Sequence, residues 1–177
     1  MSSDKIIVTK YKAFLKLITA LRPTYLDATE DEKSFMQTVV GAAIFYLPKH
    51  TKKLWNGKIS KQVLIDFHPD SGIKNPKLSE DHIYPRKDSS KELLEQDWSK
   101  KTVDDLINCY FNKLGKFTYV TQKENKELIK YQKKASSYKE AIELAGLTFF
   151  EIKEYKELLL IKKRDRKTIE KFLVQGV

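Results

Sequence analysis

The chain contains few residues of the types that build disulfide frameworks and zinc sites. Its 177 residues include one cysteine, Cys109, and three histidines. A single cysteine excludes an intrachain disulfide and a CxxC zinc site within one chain. Cys109 lies in the apolar run LINCYF, which predicts a small buried hydrophobic side chain.

Long apolar segments are also absent from the sequence. The longest apolar run, VVGAAIFYL at 39–47, is too short for a bilayer-spanning helix of about 20 residues. The N-terminal stretch MSSDKIIVTK lacks the apolar segment of a signal peptide. The sequence therefore predicts a soluble, cytoplasmic protein without a membrane partner.

Basic residues are plentiful and outnumber acidic residues by 34 to 24, which gives a formal net charge of +10. Such an excess favours polyanionic partners, nucleic acid first and an anionic membrane second. A solvated lysine-rich surface is the simpler alternative, so charge alone does not decide the function. The length and the apolar fraction of 41% suffice for a hydrophobic core.

Hydrophobic periodicity predicts helices in the N-terminal part of the chain. Apolar residues recur at helical spacing over 4–22, and Pro23 is expected to end this helix. Thr29 and Glu32 form a capping-box pattern that starts a second helix, which Pro48 ends.

The middle of the chain predicts a smaller β component. The pair Asn56-Gly57 is a turn signal. DHIYP at 81–85 is extended, because a proline disfavours a helical conformation in the preceding residue. KFTYVT at 116–121 has the β-branched and aromatic composition of a strand, and 122–135 is a basic helix.

Three further segments complete the prediction of fold class. SKQVLIDF at 60–67 fits either a strand or a short helix, while Ser137–Glu140 and Thr148–Glu151 each predict a helix start. The chain is therefore expected to be an α+β protein that is mainly helical. Its expected regions, within one compact domain, are helical at 1–55, a core at 56–135, and helical at 136–177.

The adjacent pair Asp81 and His82 suggests phosphodiester hydrolysis. That reaction needs a base for water, a divalent cation on oxygen ligands, and basic side chains that hold phosphates. Adjacent strand residues point to opposite faces, so a shared site requires a bend or twist at this pair. The second oxygen ligand must come from elsewhere, and the simpler interpretation of His82 is an exposed loop histidine.

Two segments together resemble the HNH, or ββα-metal, endonucleases. EDHIYPRK at 80–87 and LGKFTYVTQKENKEL at 114–128 match the family's Asp-His strand, loop, second strand and helix. The resemblance covers roughly residues 78–132. The second segment also resembles the HNH modules of modification-dependent restriction nucleases. It implies a ββα-metal motif embedded in the core, with Asp81 and Asn125 as ligands of Mg²⁺ or Mn²⁺ and His82 as general base.

The chain departs from the family pattern at Lys116, where the resemblance implies an asparagine that helps to hold the catalytic histidine. A main-chain contact could survive this change, but lysine only donates and cannot accept from an imidazole N–H. Lys116 could instead contact a phosphate, or the enzyme could be weakened. Asn112 and Asn108 are nearby substitutes in a poorer register.

Basic residues near the predicted site are candidate DNA contacts. Arg86 and Lys87 follow the histidine, and the predicted basic helix contributes Lys123, Lys126 and Lys130. A solvated helix face is an equally simple interpretation of these lysines. His68 and Asp70 could form a second base and ligand set, although their surroundings favour a turn.

These observations predict a Mg²⁺-dependent DNA endonuclease of restriction or phage type. The partner is expected to be double-stranded DNA, and cutting of both strands by one site per chain suggests a homodimer or two sequential nicks. A non-catalytic DNA-binding or assembly module with a degenerate site, and an RNA-directed nuclease, remain alternatives.

Overall fold

The structure of the protein is a computed structural model that describes residues 3–44, 46–48 and 50–175. Helices and strands follow one another along the chain in the order α1 Ser3–Asp27, α2 Glu30–Ile44, α3 Thr51–Leu54, β1 Trp55–Ser60, α4 Lys61–Phe67, β2 Leu78–His82, α5 Arg86–Glu95, α6 Val103–Cys109, β3 Phe117–Thr121, α7 Gln122–Gln132, α8 Tyr138–Leu144, β4 Phe149–Glu151, α9 Tyr155–Lys162 and α10 Arg166–Gln175. A 3₁₀ turn at Pro69–Ser71 and a π-helical turn at Tyr110–Leu114 complete the described elements.

The chain divides into two compact units that alternate along the sequence. A helical unit comprises Met1–Leu54 and Tyr84–Lys116, and a sheet unit comprises Trp55–Ile83 and Phe117–Val177. The expected boundary at residue 55 coincides with the start of the sheet unit. The segment between β2 and β3 belongs with the N-terminal helices, and the C-terminal region belongs with the sheet.

The helical unit has an aromatic core. The ring of Tyr11 is fully buried and meets the ring of Tyr110 edge to face, with centroids 5.8 Å apart. Trp98 is also buried and donates its indole N–H to the Leu93 carbonyl over 2.8 Å. Cys109 is half-buried at the end of α6, and burial raises the pKa of its thiol.

The sheet unit is built on a four-stranded mixed sheet with the strand order β2-β3-β1-β4. β2 pairs antiparallel with β3, β3 pairs parallel with β1, and β1 pairs antiparallel with β4. β2 is therefore an edge strand, and its last two residues are Asp81 and His82.

Helix α7 follows β3 without a connecting loop. Thr121 and Glu124 form a reciprocal capping box, and the buried Glu124 carboxylate also accepts a 2.6 Å hydrogen bond from Ser60 of β1. Leu128 of α7 packs with Val120 of β3 and Ala141 of α8 in one buried cluster. These contacts fix α7 and α8 against one face of the β2–β3 pair.

Most predicted elements are confirmed. The protein is α+β and mainly helical, with a strand within 116–121 and a helix directly after it. The strand predicted at 81–85 overlaps the observed β2 only at Asp81 and His82, because β2 starts at Leu78 and the chain bends at 83–84. The segment 60–67, for which two interpretations were open, is helical after the strand residue Ser60.

The prediction that Pro23 ends the first helix is wrong, because α1 continues to Asp27. An internal proline removes one helical hydrogen bond and costs about 3 kcal/mol. The extra turn buries Tyr25, which is 2% exposed, and its hydroxyl accepts a 2.7 Å hydrogen bond from Gln37 of α2. Tertiary packing thus outweighs the local cost.

Two further local predictions are wrong because sheet pairing overrides them. Asn56-Gly57 lies inside β1, where the register shifts and Gly57 takes a positive φ of 83°. Thr148–Glu151 does not start a helix, because Phe149–Glu151 forms β4 with Phe150 opposite Ile59.

None of the helices within the described residues is long and apolar enough to cross a membrane.

We predict that Glu124→Ala lowers the free energy of unfolding by about 2–3 kcal/mol, because two hydrogen-bond donors lose a buried acceptor. Urea denaturation would measure the loss. The matched control is Glu127→Ala on the same helix, whose carboxylate pairs with the exposed Lys130 and contributes about 0.5 kcal/mol. Equal losses in the two variants would contradict the structural role of Glu124.

Candidate functional site

The alternation of side chains along β2 sends Asp81 and His82 to opposite faces of the sheet. Asp81 lies opposite Thr118 of β3, and His82 lies opposite Phe117. Directly opposed residues of an antiparallel pair share a face. In the folded chain, too, the two side chains could share a site only if the strand bends or twists at this pair.

The Asp81 carboxylate is almost fully buried, with 3% of the residue exposed. Its Oδ2 accepts a hydrogen bond of 2.6 Å from the Tyr138 hydroxyl and one of 3.4 Å from Gln132 Nε2. Burial raises the pKa of Asp81 to about 6, and the Tyr138 hydrogen bond acts in the opposite direction. Both of these donors are neutral groups.

Two further polar side chains lie near this contact. Asn56 Nδ2 donates to the Thr118 hydroxyl oxygen over 2.9 Å, and Thr118 lies opposite Asp81 in the β2–β3 pair. Burial is the main cause that raises the pKa of Tyr138, so its hydroxyl stays protonated and donates to Asp81. Side chains from β1, β3 and α8 thus converge on one carboxylate.

His82 lies in a different environment on the other face. It is half-buried, and its ring centroid is 6.3 Å from that of Phe117 in an edge-to-face arrangement. On the same face, Glu80 lies opposite Tyr119, whose ring is covered by Lys162 Nζ at 4.4 Å from the centroid. Burial lowers the pKa of Lys162, and the charge of Glu80 acts in the opposite direction.

Asn125, the second expected metal ligand, lies half-buried in the first part of α7. It precedes Gln132, the α7 residue that contacts Asp81, by two helical turns on the same side of the helix, or about 10 Å along the axis. The described hydrogen bonds therefore join Asp81 to the end of α7, while Asn125 lies nearer its start.

The three lysines predicted for DNA contact on α7 are exposed. They recur at helical spacing at Lys123, Lys126 and Lys130, which places them on one side of the helix. Lys130 donates to Glu127 over 2.7 Å, and this bond raises the pKa of the lysine. A nearby carboxylate thus offsets part of the positive charge of this side.

The remaining predicted site residues belong to the helical unit. Lys116 Nζ donates to the main-chain carbonyl of Lys53 over 2.8 Å, and Lys87 Nζ donates to Ser34 over 3.4 Å. Partial burial lowers the pKa of Arg86. The structure thus brings Asp81, His82 and Asn125 into one unit and assigns Arg86, Lys87 and Lys116 to the other.

The pair His68 and Asp70, considered as a second ligand set, is tied into a turn. Asp70 forms a bidentate ion pair with Arg166, with both distances 2.6 Å, and its main-chain N–H donates to His68 Nδ1. The second ring nitrogen of His68 lies 3.4 Å from Glu170. These contacts give the pair a structural explanation.

Sequence reasoning missed the residues that surround Asp81. Neither Tyr138 nor Gln132 is among the predicted site residues, because nothing in the sequence indicates that the start of α8 approaches the end of β2. Thr118 could have been predicted as a neighbour of Asp81, because antiparallel pairing of the two predicted strands places one residue of the second strand beside Asp81.

The donor types at the site fit a hard divalent cation only in part. Carboxylate and amide oxygens are suitable ligands for Mg²⁺, which also keeps several waters or takes oxygens from phosphates. Both described hydrogen bonds of Asp81 end on Oδ2, so Oδ1 is the atom that would face a cation. Within the described residues, no group of three or more His, Cys, Asp or Glu side chains could enclose a metal by itself.

Comparison with protein-family models found no matching family. Searches of curated proteins and of solved structures also found no match. The resemblance to the HNH endonucleases therefore stays a prediction from the residues.

We predict that Asp81→Asn stabilises the protein by about 2 kcal/mol at pH 8 in EDTA, and that the gain disappears at pH 4. The raised pKa means that wild type loses stability as the pH rises from 4 through about 6 and the buried carboxylate ionises. An amide keeps the acceptor for Tyr138 without the charge.

Chemical denaturation at the two pH values measures this difference. The control is Asp97→Asn, which replaces an exposed carboxylate whose pKa is lowered by hydrogen bonds from Ser99. This control should give no gain at either pH. A gain for Asp81→Asn that is the same at pH 4 and pH 8 would contradict the assignment to ionisation.

Proposed function

We propose that the protein is a Mg²⁺-dependent DNA endonuclease of the HNH type. One observation carries the proposal: β2 pairs antiparallel with β3, and α7 packs against the face of this pair toward which Asp81 points. This order of two strands and a helix is what the resemblance implies for residues 78–132. Asp81 and His82 are the last two residues of the first strand, as in the family pattern.

The surroundings of Asp81 give the proposal electrostatic support. A buried carboxylate that is bonded to neutral donors keeps a net negative charge in a poorly solvated place when it ionises. A divalent cation would remove that cost, which is a reason for such a residue to occur at a functional site. Glu124, the other buried carboxylate beside α7, is instead used as a helix cap.

Asp81 and His82 have different proposed roles because they lie on different faces of β2. In the proposed site, Asp81 and Asn125 would hold a divalent cation, which when bound would supply neutralisation of the charge on the phosphate and the leaving oxygen. His82 accepts the proton of the attacking water from the other side of the strand end. Because the two side chains point to opposite faces of β2, a phosphate would have to lie at the end of the strand, past His82, to meet both of them.

The basic residues support DNA as the proposed substrate. Lys123, Lys126 and Lys130 on α7 would follow the backbone of duplex DNA, with Arg86 and Lys87 as further phosphate contacts. Since one chain has one such site, cutting of both strands would use a homodimer or two sequential nicks.

A non-catalytic DNA-binding or assembly module is the second candidate, and one observation favours it. Lys116, at the position of the family's asparagine, is hydrogen-bonded to the main chain of Lys53. A lysine in that structural role does not offer the side-chain amide oxygen of the family's asparagine.

We predict that the wild type cleaves plasmid DNA with Mg²⁺ or Mn²⁺ but not with EDTA, and that His82→Ala lowers the rate by 10²–10⁴-fold, as removal of a general base typically does. Gel analysis of nicked and linear products measures the rate. His50→Ala, which removes an exposed histidine of the helical unit, is the matched control and should cleave like wild type.

Full activity in His82→Ala would exclude the proposed mechanism. Salt-sensitive DNA binding by an inactive wild type would instead identify the binding module. Cleavage of single-stranded RNA with plasmid left intact would identify an RNA-directed enzyme.

We predict that Lys116→Asn cleaves DNA roughly tenfold faster than wild type, because an amide oxygen can accept from the imidazole N–H. Lys116→Ala is the control, since it loses the same hydrogen bond to Lys53 without offering an acceptor. Single-turnover cleavage rates compare the three proteins. A similar gain in both variants would show that lysine itself inhibits, and no gain would mean that the main chain alone serves at this position.

A further inference from the structure

We propose that Tyr138 is a positioning residue for the Asp81 carboxylate, so that α8 forms part of the functional site. The inference rests on the proposed function, in which Asp81 holds the cation. It extends the site beyond residues 78–132, the segment that resembles the HNH family. Tyr138 acts through Asp81 and takes no part in the reaction itself.

The geometry of the Tyr138–Asp81 contact supports positioning. The 2.6 Å hydrogen bond lies in the range of short, charge-assisted O–H···O⁻ bonds, whereas the 3.4 Å contact from Gln132 is long for a hydrogen bond. Tyr138 is therefore the main group that fixes the orientation of the carboxylate. With Oδ2 held, Oδ1 is directed to one place.

Tyr138 is itself held in position from both ends. It is the first residue of α8, whose N-cap Ser137 accepts a hydrogen bond from the main-chain N–H of Glu140. At its hydroxyl end, Tyr138 donates to Asp81 Oδ2 over 2.6 Å. A donor that is held at both ends favours a single orientation of the carboxylate.

Outer groups of this kind determine how well a ligand binds metal. A hydrogen bond to a ligating carboxylate fixes its orientation, and loss of such a partner typically weakens metal binding by about 10–100-fold. A Tyr–Asp bond that served packing alone would contribute to stability without changing metal affinity. Metal affinity therefore separates the two roles.

The test is Mn²⁺ binding to the 177-residue chain, followed by electron paramagnetic resonance without DNA. We expect Tyr138→Phe to weaken binding by about tenfold or more, because the ring remains and only the hydroxyl is lost. Tyr131→Phe is the matched control, since that ring packs against the Val120 cluster and belongs to the same unit. Its Mn²⁺ affinity should equal that of wild type.

Two further variants keep the outcomes distinguishable. Thr118→Val removes the hydroxyl that lies opposite Asp81 and should weaken Mn²⁺ binding by a few-fold, which provides the test if Tyr138→Phe fails to fold. Asp81→Asn should abolish binding. If Asp81→Asn loses Mn²⁺ while Tyr138→Phe and Thr118→Val bind like wild type, the positioning role is overturned and the nuclease proposal survives. If Asp81→Asn binds like wild type, or wild type does not bind, both proposals fail.

Discussion

The antiparallel pairing of β2 with β3 is the constraint on which the candidate site depends. Its register places Asp81 opposite Thr118 and His82 opposite Phe117, so two neighbouring residues enter different environments. One becomes a buried carboxylate between the sheet and two helices, and the other lies among aromatic side chains. A slip of one residue would exchange these environments and bury the histidine beside α7.

The two buried carboxylates of the sheet unit show how differently the fold uses similar groups. Glu124 accepts hydrogen bonds from Ser60 and from the main chain of Thr121, so it connects β1 to the start of α7. Asp81 accepts hydrogen bonds from Tyr138 of α8 and Gln132 of α7 but caps no helix, and burial raises its pKa to about 6. A buried carboxylate that is costly to ionise is a candidate for a functional role.

Sequence reasoning predicted the parts of this site that depend on local pattern. The β-branched and aromatic residues of 116–121 predict a strand, and the basic segment 122–135 predicts the helix that follows it. The approach of Tyr138 to Asp81 could not be predicted, because it depends on how α8 returns to the sheet after α7. The predictions of a helix end at Pro23 and a helix start at Thr148 are wrong for the same reason. Burial of Tyr25 and pairing of β4 with β1 override the local signals at these two positions.

Lys116 can be explained by the same sheet. It directly precedes β3, and its partner Lys53 lies two residues before β1, the parallel neighbour of β3. A side chain that connects the lead-in segments of two parallel strands must be long, and asparagine would be too short to bridge them in the same way. The lysine therefore has a structural reason to occupy this position.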